Sequence, residues 1–202
     1  MKKLIIAALL LIVGTGAFAQ SEFNFGARAG IAGNWIQGAN IDPGDKVSPN
    51  VGFYAGAFAV WNFGSSAFLD AEVLFARKGI STTNDVTDVK WSRKLGYIQV
   101  PVLLGFKMRD DRLRLMFGPE FGWNLMNKTT GADIAAVGNS ARKFNLALAL
   151  QGTFLVADHL GIDVKVDYGL TKTFLANSVA SVASDNGRNV SVQLGLSFMI
   201  GD

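Results

Sequence analysis

The chain has 202 residues, of which 50% are apolar and only 17% charged, with a formal charge of +3. That charged fraction is below the roughly 25% of ordinary globular domains. Without Lys2 and Lys3, 17 of the 19 basic residues remain against 16 acidic ones, a net +1, so charge gives no argument for nucleic acid or an anionic surface as partner. Cysteine is absent, which excludes disulfides, thiolate chemistry and acylation of a lipoprotein leader.

Lys2 and Lys3 precede an unbroken apolar run from Leu4 to Val13. Ala17-Phe18-Ala19 follows as a small-residue cleavage pattern, with Gln20 as the first mature residue. This reads as a secretory signal peptide over 1–19, because its apolar part is too short to span a bilayer as a helix. The rest of the chain, 20–202, is enough for one domain. It holds no stretch of about 20 apolar residues, the length a membrane helix needs. A hydrophobic exported chain without such a helix points to a membrane β-barrel, where apolarity is spread over alternate positions.

Alternation is present along the whole domain. Successive strand side chains point to opposite faces, so each run separates into two parities. In the first, Phe23, Phe25, Ala27, Ala29 and Ile31 oppose Asn24, Gly26, Arg28 and Gly30. The second sets Val51, Phe53, Ala55, Ala57, Ala59 and Trp61 on one side. The third places Leu69, Ala71, Val73 and Phe75 against Asp70 and Glu72. In the fourth, Ile98, Val100, Val102, Leu104 and Phe106 oppose Tyr97, Gln99, Pro101, Gly105 and Lys107. Leu113, Leu115, Phe117, Phe121 and Trp123 then oppose Arg114, Gly118, Glu120 and Asn124. Phe144, Leu146, Leu148, Leu150 and Phe154 oppose Asn145, Ala147, Gln151 and Thr153. The seventh run opposes Ile162, Val164, Val166, Tyr168 and Leu170 to Asp163, Lys165, Asp167 and Thr171. The last opposes Val190, Val192, Leu194, Leu196, Phe198 and Ile200 to Ser191, Gln193, Gly195 and Ser197. The expectation is an all-β, eight-stranded antiparallel up-and-down transmembrane barrel with strands of roughly ten residues.

Short connections at 62–66, 108–111 and 156–159 alternate with long ones at 34–50, 80–94, 126–143 and 172–189. Outer-membrane barrels have short periplasmic turns and long external loops, so a chain starting in the periplasm meets a long connection first, as here. Trp35, Trp61, Phe106, Trp123, Phe144, Phe154, Tyr168 and Phe198 lie at or near strand ends on the apolar parity. Rings prefer the headgroup level, so these are the candidate aromatic girdle.

The polar parity faces the lumen, which eight strands leave just wide enough for side chains to fill. Arg28, Glu72, Arg114, Glu120, Asp163, Lys165 and Asp167 are expected there as a paired network, since buried charges require partners. A proton or ion path is the sharper alternative for the same residues. Gly26 and Gly30 relieve crowding inside the barrel. His159, the single histidine, falls in a short periplasmic turn, the wrong end for a catalytic base acting at the outer leaflet. Asp42 and Asp45 lie in a Pro-Gly turn without the ligand spacing of a calcium loop. No cofactor, metal or small-molecule substrate is indicated.

Taken together, these segments resemble the PorT-like outer-membrane β-barrel family of Bacteroidetes. The likeness runs through Phe23-Asn24-Phe25-Gly26 with Arg28 and Gly30, and through Gly52-Phe53-Tyr54-Ala55-Gly56. It continues in Glu72-Val73-Leu74-Phe75 with Lys78-Gly79, in Tyr97-Ile98-Gln99-Val100-Pro101, in Gly118-Pro119-Glu120 and in Asp167-Tyr168-Gly169-Leu170-Thr171. Gln99 departs from the pattern, standing where an acid is frequent. The resemblance implies the fold and an outer-membrane location.

The leading expectation is a non-enzymatic barrel in contact with outer-membrane lipid, serving as envelope structure or as a surface-interaction protein through its external loops. Support of a secretion or envelope-assembly complex, through loops or periplasmic turns, is the second reading. A soluble lipocalin-like barrel with an apolar interior is the third.

Overall fold

The computed structural model describes residues 23–37, 45–63, 65–84, 90–108, 112–131, 142–172 and 188–200. The signal-peptide positions, Ala17, Ala19 and Gln20 among them, lie outside the described residues, as does the Pro-Gly turn at Asp42.

Runs of alternating apolar and polar residues form eight strands: β1 Phe23–Gln37, β2 Asp45–Phe63, β3 Ala67–Asn84, β4 Lys90–Met108, β5 Leu113–Gly131, β6 Phe144–Ala157, β7 Leu160–Lys172 and β8 Arg188–Ile200. Each pairs antiparallel with its neighbours in sequence, and β1 pairs with β8, so the sheet closes and leaves no edge. The β1–β2 register runs unbroken from Phe23↔Trp61 to Asn34↔Asn50.

The strands exceed the ten residues expected, spanning 13 to 19. Much of what reads as external loop is paired: Asp45↔Asn84 and Lys90↔Thr83 extend β2–β3–β4, and Trp91↔Gly131 extends β4–β5. These extensions carry no apolar alternation. There the ladder hydrogen bonds, with β-favouring residue types such as Thr82 and Thr83, hold the pairing without that pattern.

The outward parity is apolar from end to end of the membrane band. Phe25, Ile31, Val73, Phe117, Leu150, Val164, Leu194 and Leu196 are all exposed. The outward run of β8 from Val192 to Ile200 is about 26 Å long at about 3.3 Å per residue. A tilt of about 40° reduces this to roughly 20 Å of height, near the apolar band of about 25 Å seen in such barrels. An apolar exterior around a charged interior is the inverse of a soluble lipocalin-like barrel.

Prolines interrupt two ladders. In β3–β4 the pairing stops after Ala71↔Val102 and resumes at Leu74↔Gln99, across Pro101. In β4–β5 it stops between Pro101↔Glu120 and Leu104↔Phe117, across Pro119. Proline has no N–H to give to the neighbouring strand, so each leaves a ladder gap. A bulge follows Pro49 on β2, where the β3 register shifts before Phe53.

Candidate functional site: a charged lumen above an apolar plug

The short turns at the ends of β2, β4 and β6 lie at the same end as the start of β1 and the finish of β8. In outer-membrane barrels that end faces the periplasm. From it, the inward residues of β3 read Phe68, Asp70, Glu72, Leu74, Ala76 and Lys78, which orders the lumen in layers.

The lowest layer is apolar. Phe58, Val60, Phe68, Leu103, Met116, Ala149 and Met199 form one buried cluster, with Leu155 packed against it. Arg114 belongs to this level: its Nη1 donates to Met199 Sδ at 3.5 Å, and its guanidinium lies 5.9 Å from the centre of the Phe68 ring. Among the described residues, a cavity of about 10 Å³ lies between these side chains, Arg28, Asp70 and Ser197. That is room for about one water molecule.

Above the plug, Arg28 is the hub of a first charged cluster and is 4% exposed. Its Nε donates to Asp163 Oδ2 at 3.1 Å, Nη1 donates to Glu72 Oε1, and Nη2 lies 3.5 Å from Asp70 Oδ2. The guanidinium also sits 4.5 Å from the centre of the Phe58 ring, so its face is covered while its edges serve carboxylates. Asp163 is fixed in turn by Thr153 Oγ1 at 2.5 Å and Ser197 Oγ at 3.2 Å, both donating to Oδ1. These donors come from the strands flanking β7: register puts Thr153 on β6 directly opposite Asp163, and Ser197 on β8 diagonal to it, opposite Gly161.

A second cluster lies one step further out. Lys165 Nζ donates to Glu120 Oε2 at 2.9 Å and lies 3.9 Å from Asp167 Oδ1. Lys78 Nζ stands 3.9 Å from Glu120 and 4.0 Å from Asp167. Gln99 donates to the other Glu120 oxygen, and Gln193 Nε2 donates to Asp167 Oδ2 at 2.6 Å. Across both clusters, five carboxylates share three cations, Arg28, Lys78 and Lys165. Each cation is therefore shared, a geometry that locks neighbouring strands together across the barrel rather than lining an open path.

Of the seven lumen residues expected from sequence, the structure brings Arg28, Glu72 and Asp163 together, and separately Glu120, Lys165 and Asp167. Asp70, Lys78, Gln99, Gln193 and Thr153 join them as partners that sequence reasoning omits. Their inward parity was a visible signal for Asp70, Gln99, Gln193 and Thr153. The apolar plug carried no such signal, because inward Phe58, Phe68 and Leu103 sit within runs that are apolar on both parities.

The eight aromatic residues named above are all exposed on the outer wall. Trp61, Phe106, Phe154 and Phe198 lie toward the short-turn end, while Trp35, Trp123, Phe144 and Tyr168 lie toward the other. Trp123 and Phe144 meet edge-on at 5.6 Å. His159 is exposed in the β6–β7 turn, its ring 6.2 Å from that of Phe198. Among the described residues, no group of three or more His, Cys, Asp or Glu is placed to hold a metal ion.

A closed eight-stranded barrel with an apolar outer wall and a charged core defines an integral β-barrel of the outer membrane of a Gram-negative bacterium. The chain belongs to the outer membrane protein beta-barrel domain family, whose model matches residues 18–175. No curated protein matches it in sequence. Solved structures share the fold at low identity. Ail, the attachment invasion locus protein of Yersinia pestis, solved in complex with the heparin analogue sucrose octasulfate, is 14% identical with a TM-score of 0.50, covering 89% of this chain and 99% of Ail. OprG of Pseudomonas aeruginosa is 13% identical with a TM-score of 0.53, covering 91% and 98%. Neisserial surface protein A is 13% identical with a TM-score of 0.51, covering 89% and 98%.

Proposed function

We propose that this is a non-catalytic barrel with a sealed lumen, acting as envelope structure and as a surface-interaction protein through its external segments. The observation that carries the reading is the layered lumen, in which two shared ion clusters stand above an apolar plug with room for about one water. A sealed lumen removes bulk passage from the list of roles and leaves the rims, where loops on a rigid scaffold do the binding. The exposed rings at both levels serve as interface girdles. Residues 1–19 act as the export signal that brings the chain to this membrane. The motifs from Phe23-Asn24-Phe25-Gly26 to Asp167-Tyr168-Gly169-Leu170-Thr171 support a finer placement among PorT-like barrels of Bacteroidetes.

Two measurements test this. Liposomes reconstituted with the folded protein are expected to show no swelling in small sugars, and swelling at porin rates would overturn the sealed-lumen reading. Replacing residues 173–187 by a two-residue Asn-Gly turn is expected to abolish protein-dependent cell adhesion while heat-modifiable gel mobility is retained. Unchanged adhesion after the corresponding exchange of each external segment would overturn the surface role.

A further inference from the structure

On the outer wall at the external end, the β2 bulge opens a cavity of about 230 Å³ lined by Val51, Gly52, Phe53, Arg77, Lys78 and Lys94. Three of these six residues are cations, and none is an acid. Arg77 and Lys94 are exposed and point outward, and among the described residues neither enters an ion pair. Lys78 forms the inner wall and belongs to the second lumen cluster.

The level of the cavity matters. Going up the outer face, β3 presents Leu69, Ala71, Val73 and Phe75 before Arg77, and β4 presents Phe106 to Ile98 before Lys94. Arg77 and Lys94 are therefore the first charges above the apolar band on their strands, at the depth of outer-leaflet headgroups. Register brings them close, with Arg77 opposite Gly96 and Gly79 opposite Lys94 on the same strand pair. Exposed Val51 and Phe53 form the apolar flank, continuing down into the band.

The bulge is what makes the space. One extra residue on β2 between Pro49 and Phe53 opens the ladder toward β3. Gly52 is required there, since a Cβ would stand 1.8 Å from the Arg77 carbonyl oxygen. A side chain at 52 would force β2 and β3 apart at the cavity wall.

Two exposed cations lining one cavity beside an apolar flank match an amphiphile with a phosphate head and acyl chains. We propose that this cavity binds a phosphate group of an outer-leaflet glycolipid, held between Arg77 and Lys94 with an acyl chain along Val51 and Phe53. Arginine grips phosphate through a pair of parallel N–H donors, and lysine adds a compact charge. The inference rests on the membrane-barrel reading, which is checked separately by resistance to carbonate extraction of the membranes from which the barrel is purified.

The test is native mass spectrometry of the purified full-length barrel, mixed separately with lipid A, dephosphorylated lipid A and inorganic phosphate. Lipid A adducts are expected to fall about tenfold in Arg77→Gln/Lys94→Gln and to persist in Arg77→Lys/Lys94→Arg. They are also expected to persist in Arg142→Gln/Lys143→Gln, which removes exposed cations elsewhere on the rim. Equal adducts with dephosphorylated lipid A, or an equal loss in the rim variant, would sink the proposal. Displacement of lipid A by low-millimolar inorganic phosphate would show a free-anion site instead and overturn the lipid assignment. All variants must first show the folded, heat-modifiable mobility; these side chains lie outside the barrel packing, so folding is expected to be unchanged.

Discussion

Arg28 is the residue on which the lumen depends most, because it pairs at once with Asp70, Glu72 and Asp163. Removing it leaves three buried carboxylates without the guanidinium that pairs with all of them, whereas neutralising one carboxylate leaves two to satisfy the guanidinium. The two changes should therefore differ sharply. Arg28→Met is expected to destabilise the barrel by about 3–5 kcal/mol, the usual cost of orphaning a buried charge. Glu72→Gln should cost within about 1 kcal/mol, the net value of an ordinary hydrogen bond. Urea titration of the folded band on unheated gels measures both, and equal losses would contradict the hub role. Gly195 is a second sensitive position: a Cβ there would stand 2.2 Å from Tyr54 Oη and 2.5 Å from the Ala29 carbonyl oxygen. The tyrosine can move but the β1 backbone cannot. Gly195→Ala should accordingly cost about 1–3 kcal/mol, as overpacking does, with the loss read in the same titration.

At the scale of elements, the β3–β4–β5 seam is the weak part of the wall, because Pro101 and Pro119 each remove one ladder donor within the membrane band. Strand β1, whose pairing with β2 is continuous, is the internal reference. Amides at 72–73, 102–103 and 118 are expected to exchange faster than those of residues 25–33 in micelles. Pro119→Val adds a donor facing β4. It should slow exchange at Val102 and Leu103 about fivefold, the equivalent of about 1 kcal/mol for one net hydrogen bond. No change in their rates would mean the gaps have another cause. These prolines also show what could be read from sequence. Alternation identified the strands and their facing, because lipid on one side and a polar lumen on the other impose period two. Strand ends were not legible: past Lys78 and Asn127 the alternation in the sequence stops, and Ile80 to Asn84 reads as loop although it is paired. Nor was the pairing inside the lumen, since Lys78 meeting Glu120 and Asp167 depends on register across five strands, β3 to β7, rather than on spacing within one.

For the molecule as a whole, the proposed sealed lumen rests on two layers in series, and they fail by different physics. The plug obstructs water by close packing of Phe58, Phe68, Met116 and their neighbours. The charged layers tolerate water but obstruct it with side chains pinned from β1, β3, β4, β5, β7 and β8. Phe68→Ala with Met116→Ala empties the first seal. Each truncation should cost about 2–5 kcal/mol, as large-to-small core changes do. Water would then reach Arg114 and Arg28 from the periplasmic side, yet the clusters above still close the path. The double variant is therefore expected to remain non-conducting in planar bilayers, although less stable to urea. Conversely, Lys165→Met with Glu120→Met removes the central pair of the upper cluster while the plug stays intact, and this too should show no openings. Only the combination should produce discrete conductance steps. Steps in either single-layer variant would mean that one layer alone holds the barrier, and steps in the unmodified protein would mean that neither does.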